Sequence, residues 1–474
     1  MLNFLKEIEK TYIFLIKSVL FALLFASYFV VFLPEVPFFV DIPGLTALSR
    51  TAVISMFGFI ILCVCFIRIY GGFPVGIKKS KDIIPSLAIA AFITDACTSI
   101  ILYVMSVQIL GKNIEAVFIP ILAIFPVQLL IIIAFTRLGN FVFFKINEPK
   151  LCTVIYDDEE KIDAYVTKIG KYKKQWKVEA VVHYTNPEVK DYIRKNETVF
   201  LLDIPMELKS GLVEYCYKHS KNIFVTPDVS DVVIKHSTHI LLDDVTAFGC
   251  TISGLSFEQK FMKRVVDIAI SGIGLILSSP IMLVEALVIK LHDKGPIFFE
   301  QDRMTLDGKT FKLIKFRTMV VDAEKSGVAV LSSKGDKRIT KVGKFLRATR
   351  LDELPQLINI FIGDMSFVGP RPERESIAKQ YQKDLPEFHY RLKVKAGLTG
   401  LAQIMGKYNT TPKDKLTLDL VYIEQYSIWV DIKLLLQTLK VFFKSDSTEG
   451  FTRDDQVEFI KHKASDKEHS KTKK

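Results

Sequence analysis

The sequence predicts a membrane protein in which a helical membrane region is followed by an α/β domain and a mainly helical second half. Three observations indicate this fold class. The 474-residue chain is 49% hydrophobic, and apolar runs of membrane-spanning length fill its first third. After residue 146, β-rich runs alternate with charged segments of helical length. After residue 257, a fifth apolar run leads into a charged region with helical periodicity.

Four apolar runs are long enough to cross a bilayer core, which takes about 20 helical residues. They cover residues 12–33, 47–69, 83–110 and 117–135. Cationic residues concentrate before the first run, between the second and third, and after the fourth. Residues 1–145 are therefore predicted to form a four-helix transmembrane region with both termini on the cytoplasmic side. Lys17, Asp95 and Gln128 lie within these runs and are expected to pair between helices or to snorkel, with a polar transport path as the alternative.

Residues 146–250 read as a Rossmann-like α/β domain with a mostly parallel sheet. The predicted strands cover residues 151–156, 178–183, 198–204, 223–227 and 239–242. Where a dinucleotide-binding domain would carry glycines, the first strand runs into Asp157-Asp158-Glu159-Glu160. Because four carboxylates would repel a pyrophosphate, we interpret the domain as degenerate, without a Gly-rich loop, and with a structural, regulatory or small-ligand role.

The fifth apolar run, residues 265–289, is interrupted by Ser278-Ser279-Pro280. A proline inside a helix removes a backbone hydrogen bond and bends the axis, and cations flank both ends of this run. Residues 261–290 are therefore interpreted as a broken, re-entrant helix that returns to the same membrane face. Ser279 would satisfy carbonyls that Pro280 leaves free. A straight fifth span is the alternative.

The centre of the second half is the acidic pair Asp352-Glu353. Leucines recur around it at helical spacing and Pro355 suits a first helical turn, so Asp352 is placed near a helix start, where the dipole favours its ionised form. Beside Arg347 and Arg350 such a carboxylate is a candidate nucleophile for phosphorus, and Glu353 could share a divalent cation with it. The alternative from spacing alone is a solvated helix cap with a surface glutamate.

Basic segments surround this pair. Arg303, Lys315 and Arg317 alternate with aromatic and aliphatic residues, as positions facing anionic oxygens would. A basic face docked on anionic lipid is the alternative. Pro370 and Pro372 stiffen the backbone on each side of Arg371, which suits aiming that arginine at a nucleotide; a purely structural loop is the alternative.

The net charge and the spacing of the cysteines further restrict the class of protein that the sequence predicts. The formal net charge is +11, and the cations mostly flank apolar runs or lie in the second half, so anionic lipid or a phosphate substrate explains them better than nucleic acid. The six cysteines form no zinc-type pattern. Residues 451–474 form a basic tail that we expect to be disordered.

The second half contains seven motifs in a fixed order. They are Lys263-Arg-Val-Val-Asp267, Ser279-Pro280, Gly295-Pro-Ile-Phe-Phe299, Lys315-Phe-Arg-Thr-Met319, Leu351-Asp-Glu-Leu-Pro-Gln-Leu357, Gly363-Asp-Met-Ser-Phe-Val-Gly-Pro-Arg-Pro372 and Gly397-Leu-Thr-Gly-Leu-Ala-Gln403. In this order they resemble the motifs of the bacterial sugar transferase family, the monotopic polyprenyl-phosphate phosphoglycosyl transferases. The resemblance covers residues 261–450 of a predicted catalytic domain at 257–450, and the region before it is similar to the long, four-helix form of enzymes that prime exopolysaccharide and capsule synthesis.

This resemblance implies a membrane enzyme that moves a hexose-1-phosphate, with glucose or galactose favoured, from a UDP-sugar to undecaprenyl phosphate and releases UMP. Asp352 would be the covalent nucleophile, and Asp352 and Glu353 would bind Mg²⁺. The resemblance also places Ser279-Pro280 at the re-entrant break and a set of substrate-binding residues around the site. That set is Arg303, Lys315, Arg317, Arg347, Pro370, Arg371, Pro372 and Lys407.

The implied location is the cytoplasmic face of the bacterial inner membrane. Membrane lipid is an expected partner, nucleic acid is not, and a homo-oligomer is left open. A non-catalytic membrane scaffold or ligand sensor is the alternative function.

Overall fold

The computed structural model describes residues 2–30, 49–110, 114–250, 254–321, 336, 338–406 and 410–441. The chain forms two compact units, Met1–Thr226 and Pro227–Lys474. The predicted tail at 451–474 and Lys407 lie outside the described residues.

The first unit begins with four long helices: α1 (Leu2–Phe29), α2 (Arg50–Ile69), α3 (Ser80–Leu110) and α4 (Glu115–Ile146). Each contains a stretch long and apolar enough to cross a membrane, and so does one helix of the second unit, giving five among the described residues. Leu24, Phe59 and Leu87 pack together in the interior of the bundle, whereas other large apolar side chains such as Phe57 and Leu122 are exposed. An apolar exterior is what a lipid-facing bundle requires, and the chain is a membrane protein.

Polar side chains inside the bundle pair between helices. Gln128 Nε2 on α4 donates a hydrogen bond to Asp95 Oδ1 on α3 at 3.3 Å. The hydroxyls of Tyr28 and Ser99 are 2.7 Å apart, which links α1 to α3. The predicted pairing of Asp95 and Gln128 is thus confirmed, and it holds the helices together where lipid offers no polar partner.

A four-stranded parallel sheet completes the first unit. Its strands are β1 (Lys150–Tyr156), β2 (Trp176–His183), β3 (Thr198–Leu202) and β4 (Asn222–Val225), in the order β2-β1-β3-β4. The connecting helices are α5 (Glu159–Gly170), α6 (Val189–Lys195) and α7 (Met206–Lys218). After β1, the Asp158 side chain accepts a hydrogen bond from Glu160 N and caps α5, so a carboxylate lies at this helix start.

The fifth predicted strand does not join this sheet. After α8 (Val229–Lys235), β5 (Thr238–Leu242) pairs antiparallel with β6 (Val245–Gly249), a strand that the sequence analysis did not predict. Asp243 adopts a left-handed conformation with φ of 59° in the two-residue connection. The chain therefore reverses at once and pairs with its neighbour as a hairpin, instead of crossing over to a parallel strand.

The fifth apolar helix, α9 (Phe257–Asp293), is 37 residues long and runs through Pro280 without interruption. The predicted break in the helix is therefore wrong at the level of secondary structure. The reason is local: Pro280 cannot donate to the Ile276 carbonyl, and Ser279 Oγ donates to that oxygen at 2.8 Å instead. The role predicted for Ser279 is confirmed.

The rest of the second unit packs short elements around one core. They are an antiparallel pair, β7 (Phe298–Met304) and β8 (Thr310–Phe316), two short parallel strands, β9 (Ser366–Val368) and β10 (Gly397–Thr399), and six helices. The helices are α10 (Lys341–Thr349), α11 (Gln356–Ile362), α12 (Glu375–Asp384), α13 (Leu401–Met405), α14 (Pro412–Glu424) and α15 (Ile428–Val441). Phe311, Leu357, Phe388 and Leu420 belong to the shared core.

Buried charges fasten α9 to this core. Lys263 Nζ lies 2.5 Å from Asp431 Oδ2 on α15 and donates to Tyr422 Oη at 3.1 Å. Asp267 Oδ1 accepts from Ser366 Oγ and from Phe367 N, both at 3.0 Å. Arg264 donates to three carbonyl oxygens at the end of α11. These contacts give the Lys263-Arg-Val-Val-Asp267 motif a structural role, since they join the apolar helix to the elements that carry the acidic pair.

Candidate active site

The acidic pair lies in a tight turn between two helices. α10 ends at Thr349, Arg350 takes a left-handed conformation with φ of 60°, and Leu351–Glu353 form one 3₁₀ turn. Pro355 precedes the first residue of α11 as its N-cap. The predicted position near a helix start is confirmed, although the pair lies in the turn before the helix and not in its first turn. The chain changes direction at Arg350 and again in the 3₁₀ turn, so both carboxylates lie on one short, constrained segment.

Asp352 is buried, with 8% of its surface exposed. Burial raises the pKa of its carboxyl to about 6 and the charge of Glu353 adds to this, while Lys315, Arg347 and Arg350 oppose the increase. The expectation that the helix start favours the ionised form is therefore wrong in sign, because loss of solvent outweighs the dipole and the nearby cations. The carboxyl is still mostly ionised at pH 7, and a poorly solvated carboxylate is the more reactive nucleophile.

Glu353 differs from its neighbour because it is paired. Its Oε1 lies 2.7 Å from Lys315 Nζ and 3.7 Å from Arg371 Nη2, and 16% of its side chain is exposed. Burial opposes ionisation, but Lys315 and Arg371 hold the pKa of this carboxyl well below its usual range, at about 2. Glu353 therefore stays a carboxylate and holds two cations beside Asp352.

Asn359 fixes the distance between the helix after the pair and the strand that carries Lys315. Its Oδ1 accepts from Ile314 N at 3.0 Å, and its Nδ2 donates to Lys312 O at 2.8 Å. One side-chain amide thus pairs with the backbone of β8 as another strand would. Sequence reasoning missed this residue, because its partners are 45 and 47 positions away.

We predict that Asn359→Ala lowers the free energy of unfolding by about 1–3 kcal/mol, because it leaves two backbone groups of β8 without their partner. It should also reduce catalysis by shifting Lys315. Thermal unfolding of the purified protein measures the first effect. Gln382→Ala, which removes an amide from α12, is the control and should melt within about one degree of wild type. Equal melting of Asn359→Ala and the control would show that this bridge is dispensable.

The Pro370-Arg371-Pro372 turn is held through all three of its carbonyl oxygens. Gly397 N donates to Pro370 O at 2.9 Å, Arg391 Nη2 to Arg371 O at 2.9 Å, and Arg303 Nη1 to Pro372 O at 3.1 Å. Arg391 is itself buried against Asp419, with Nη2 and Oδ2 2.8 Å apart. The backbone is therefore rigid, as the two prolines indicated, and the half-exposed Arg371 side chain points to Glu353.

The structure brings only some of the predicted binding residues to the pair. Lys315 and Arg371 contact Glu353, and Arg347 acts on Asp352 through its charge while its Nε donates to Thr318 Oγ1 at 2.8 Å. Arg303 supports the turn through Pro372. Arg317 is buried against Gly295, where any Cβ would come within 1.9 Å of its Nη1.

The carboxylate oxygens of Asp352 and Glu353 are the kind of ligand that a hard divalent cation such as Mg²⁺ prefers. Glu353 uses the same oxygen, Oε1, for both of its ion pairs. Among the described residues, no three His, Cys, Asp or Glu side chains form a metal-ligating group. Further ligands would therefore come from substrate phosphate and water, as is usual for Mg²⁺.

Together, the fold and the site define a membrane protein in which a buried carboxylate lies among cations, next to a turn that packs on an apolar helix. This arrangement suits transfer of a phosphoryl group. Residues 258–445 match the model of the bacterial sugar transferase family. The chain belongs to this family.

Relatives support the assignment. The chain is 41% identical over 223 residues to the UDP-glucose:undecaprenyl-phosphate glucose-1-phosphate transferase of Klebsiella pneumoniae, which is 46% of this chain and 48% of that protein. A transferase of the same name from Caulobacter vibrioides is 39% identical over 190 residues, 39% of this chain and 71% of that protein. The galactosyl transferase CpsE of Streptococcus agalactiae is 42% identical over 196 residues, 39% of this chain and 43% of that protein. The chain thus spans about half the length of the first relatives it matches.

Proposed function

We propose that this protein transfers a hexose-1-phosphate from a UDP-sugar to undecaprenyl phosphate, releases UMP and so primes the synthesis of an extracellular polysaccharide. The observation that carries the proposal is the burial of the Asp352 carboxylate among the cationic side chains of Lys315, Arg347 and Arg350. The names of the relatives, which include glucose-1-phosphate and galactosyl transferases, support the reaction type and the favoured sugars, glucose and galactose.

In the first step, an oxygen of Asp352 attacks the phosphorus that bears the sugar. The bond between this phosphorus and the bridging oxygen breaks, and UMP leaves with that oxygen. A covalent sugar-phosphate on Asp352 results. The cations around Asp352 lower the repulsion between its carboxylate and the anionic donor, and Arg371 is placed to bind a phosphate group of the nucleotide.

In the second step, a phosphate oxygen of undecaprenyl phosphate attacks the phosphorus held by Asp352. The Asp352–phosphorus bond breaks, the carboxylate is restored, and the sugar is left on a lipid diphosphate. Glu353 keeps Lys315 and Arg371 in place for both steps, since its Oε1 pairs with each of them. Because UMP leaves before the lipid phosphate arrives, one site serves a soluble donor and a membrane acceptor in turn.

Mg²⁺ bound at Asp352 and Glu353 would neutralise donor charge and act as a Lewis acid on phosphoryl oxygen. If so, chelation with EDTA should abolish UMP release, and added Mg²⁺ should restore it. Release that continues unchanged in EDTA would remove the metal from the proposal.

The membrane placement is also a proposal. We infer that the protein lies in the bacterial inner membrane, with its second unit on the cytoplasmic face where nucleotide sugars are made. A 37-residue helix is about 55 Å long, against a hydrocarbon core of about 30 Å, and both of its ends carry cations. These facts favour a path for α9 that bends at Pro280 and returns to the same face.

The function is tested by incubating membranes that contain the protein with undecaprenyl phosphate, Mg²⁺ and a panel of UDP-sugars. We expect UMP release with UDP-glucose or UDP-galactose, together with a lipid-linked sugar diphosphate. Release with an N-acetylated donor alone would keep the reaction and change the sugar. No release with any donor would contradict the proposed function and favour a scaffold or sensor.

A further inference from the structure

Glu285 is a buried acidic residue of α9. Only 6% of its surface is exposed, and both of its carboxylate oxygens are buried without a hydrogen-bond partner among the described residues. A carboxyl group in this condition is rare, because burial removes its water without replacing it. In the stretch of α9 between Asp267 and Lys290, where Glu285 is the only charged residue, it indicates a functional role.

The position of Glu285 brings it to the acidic pair. It lies one helical turn before Ile289, in the part of α9 where Met282 and Ala286 pack in the same cluster as Leu351. Leu351 is the residue before Asp352, so this packing brings Glu285 and Asp352 to the same part of the second unit. The apolar helix and the 3₁₀ turn thus bring two buried carboxyl groups together, one of them without a hydrogen-bond partner among the described residues.

Glu353 adds a further negative charge beside Asp352, and its Oε1 is engaged with Lys315 and Arg371. A divalent cation compensates neighbouring carboxylates together, since its preferred ligands are carboxylate oxygens. It would also leave one oxygen of Asp352 free to react.

We propose that Glu285 is a ligand of the divalent cation that binds at Asp352, so that α9 contributes directly to the catalytic site. The proposal deepens the proposed function and rests on it for the identity of the site. The apolar helix and the 3₁₀ turn then both supply carboxylate ligands to the cation, with diphosphate oxygens and water completing its coordination. Docking of α9 against the turn becomes a condition for cation binding.

The test is a titration of the full-length protein in lipid nanodiscs with Mn²⁺, alone and in the presence of UDP, followed by electron paramagnetic resonance of free Mn²⁺. We expect Glu285→Gln to weaken Mn²⁺ binding at least tenfold. Glu258→Gln makes the same chemical change on an exposed residue of the same helix and should leave the affinity unchanged.

Thermal unfolding provides a second readout that does not depend on activity. In EDTA, Glu285→Gln should melt at or above the temperature of wild type, because it removes a buried charge that has no partner. Saturating Mn²⁺ should raise the melting temperature of wild type more than that of the variant, since bound ligand stabilises only the folded state.

Wild-type affinity in a folded Glu285→Gln protein would overturn the proposal, and so would a wild-type protein that binds no Mn²⁺ with or without UDP. Neither result would by itself contradict sugar-phosphate transfer, because binding is measured without turnover. Conversely, an absence of UMP release with normal Mn²⁺ binding would contradict the proposed function and leave the cation site in place.

Discussion

Replacing Asp352 with asparagine should lower UMP release by a factor on the order of 10⁴ or more. Asparagine keeps the shape of the side chain but supplies no carboxylate to attack phosphorus, so the covalent step is lost. Protein incubated with donor alone should gain the mass of one sugar-phosphate in wild type and none in Asp352→Asn, which mass spectrometry of the intact protein measures.

Two controls define this result. Asp384→Asn makes the same change at an exposed residue at the end of α12 and should release UMP at the wild-type rate. Glu353→Gln tests the neighbouring carboxylate, which holds Lys315 and Arg371, and should slow both steps without abolishing the adduct. An adduct in Asp352→Asn, or unchanged UMP release, would refute the assignment of the nucleophile.

Breaking the buried ion pair between Lys263 and Asp431 should give the largest loss of stability, about 3–5 kcal/mol for either single substitution. The side chains are 8% and 5% exposed, so the partner that remains keeps a desolvated charge. Among the described residues, Lys263→Met leaves the Asp431 side chain with the Tyr422 hydroxyl as its one hydrogen-bond donor, at 2.8 Å. Thermal unfolding of the detergent-solubilised protein should show the loss.

The double variant Lys263→Met/Asp431→Leu separates loss of charge pairing from loss of packing. Removing both charges eliminates the uncompensated group, and we expect stability to return to within about 1–2 kcal/mol of wild type. Lys260→Met, at an exposed position one turn earlier in α9, should have little effect. If Lys263→Met unfolds at the same temperature as Lys260→Met, the ion pair does not hold α9 to the core.

The sequence predicted most of the secondary structure of the first unit. The four apolar runs are helices, and four of the five predicted strands form the parallel sheet. These features depend on local composition and periodicity, which a sequence displays directly. The fifth strand was assigned to the wrong partner, because its run of apolar residues does not reveal that Asp243 turns the chain back on itself.

The sequence predicted the residues of the candidate site better than the contacts between them. The motif around Asp352 and Glu353 identified the pair, and Pro370 and Pro372 indicated a rigid turn. The direction of the Asp352 pKa shift was predicted wrongly, since the helix start is visible in the sequence and the burial is not. Glu285 was overlooked inside an apolar run, although an ionisable residue there is a signal that sequence reasoning can use.

The sequence by itself determined that this is a membrane protein of the bacterial sugar transferase family, because apolar length and motif order are properties of the chain alone. It also singled out an Asp-Glu pair as the candidate for its chemical centre. Only the tertiary structure decided that, among the described residues, Glu353 forms the ion pairs with Lys315 and Arg371 and Asp352 does not. Lys315 reaches Glu353 from 38 residues away, and Lys263 reaches Asp431 across 168. Such charged side chains come into contact only in the folded protein, where water is excluded from between them. The same exclusion of water raises the pKa of Asp352.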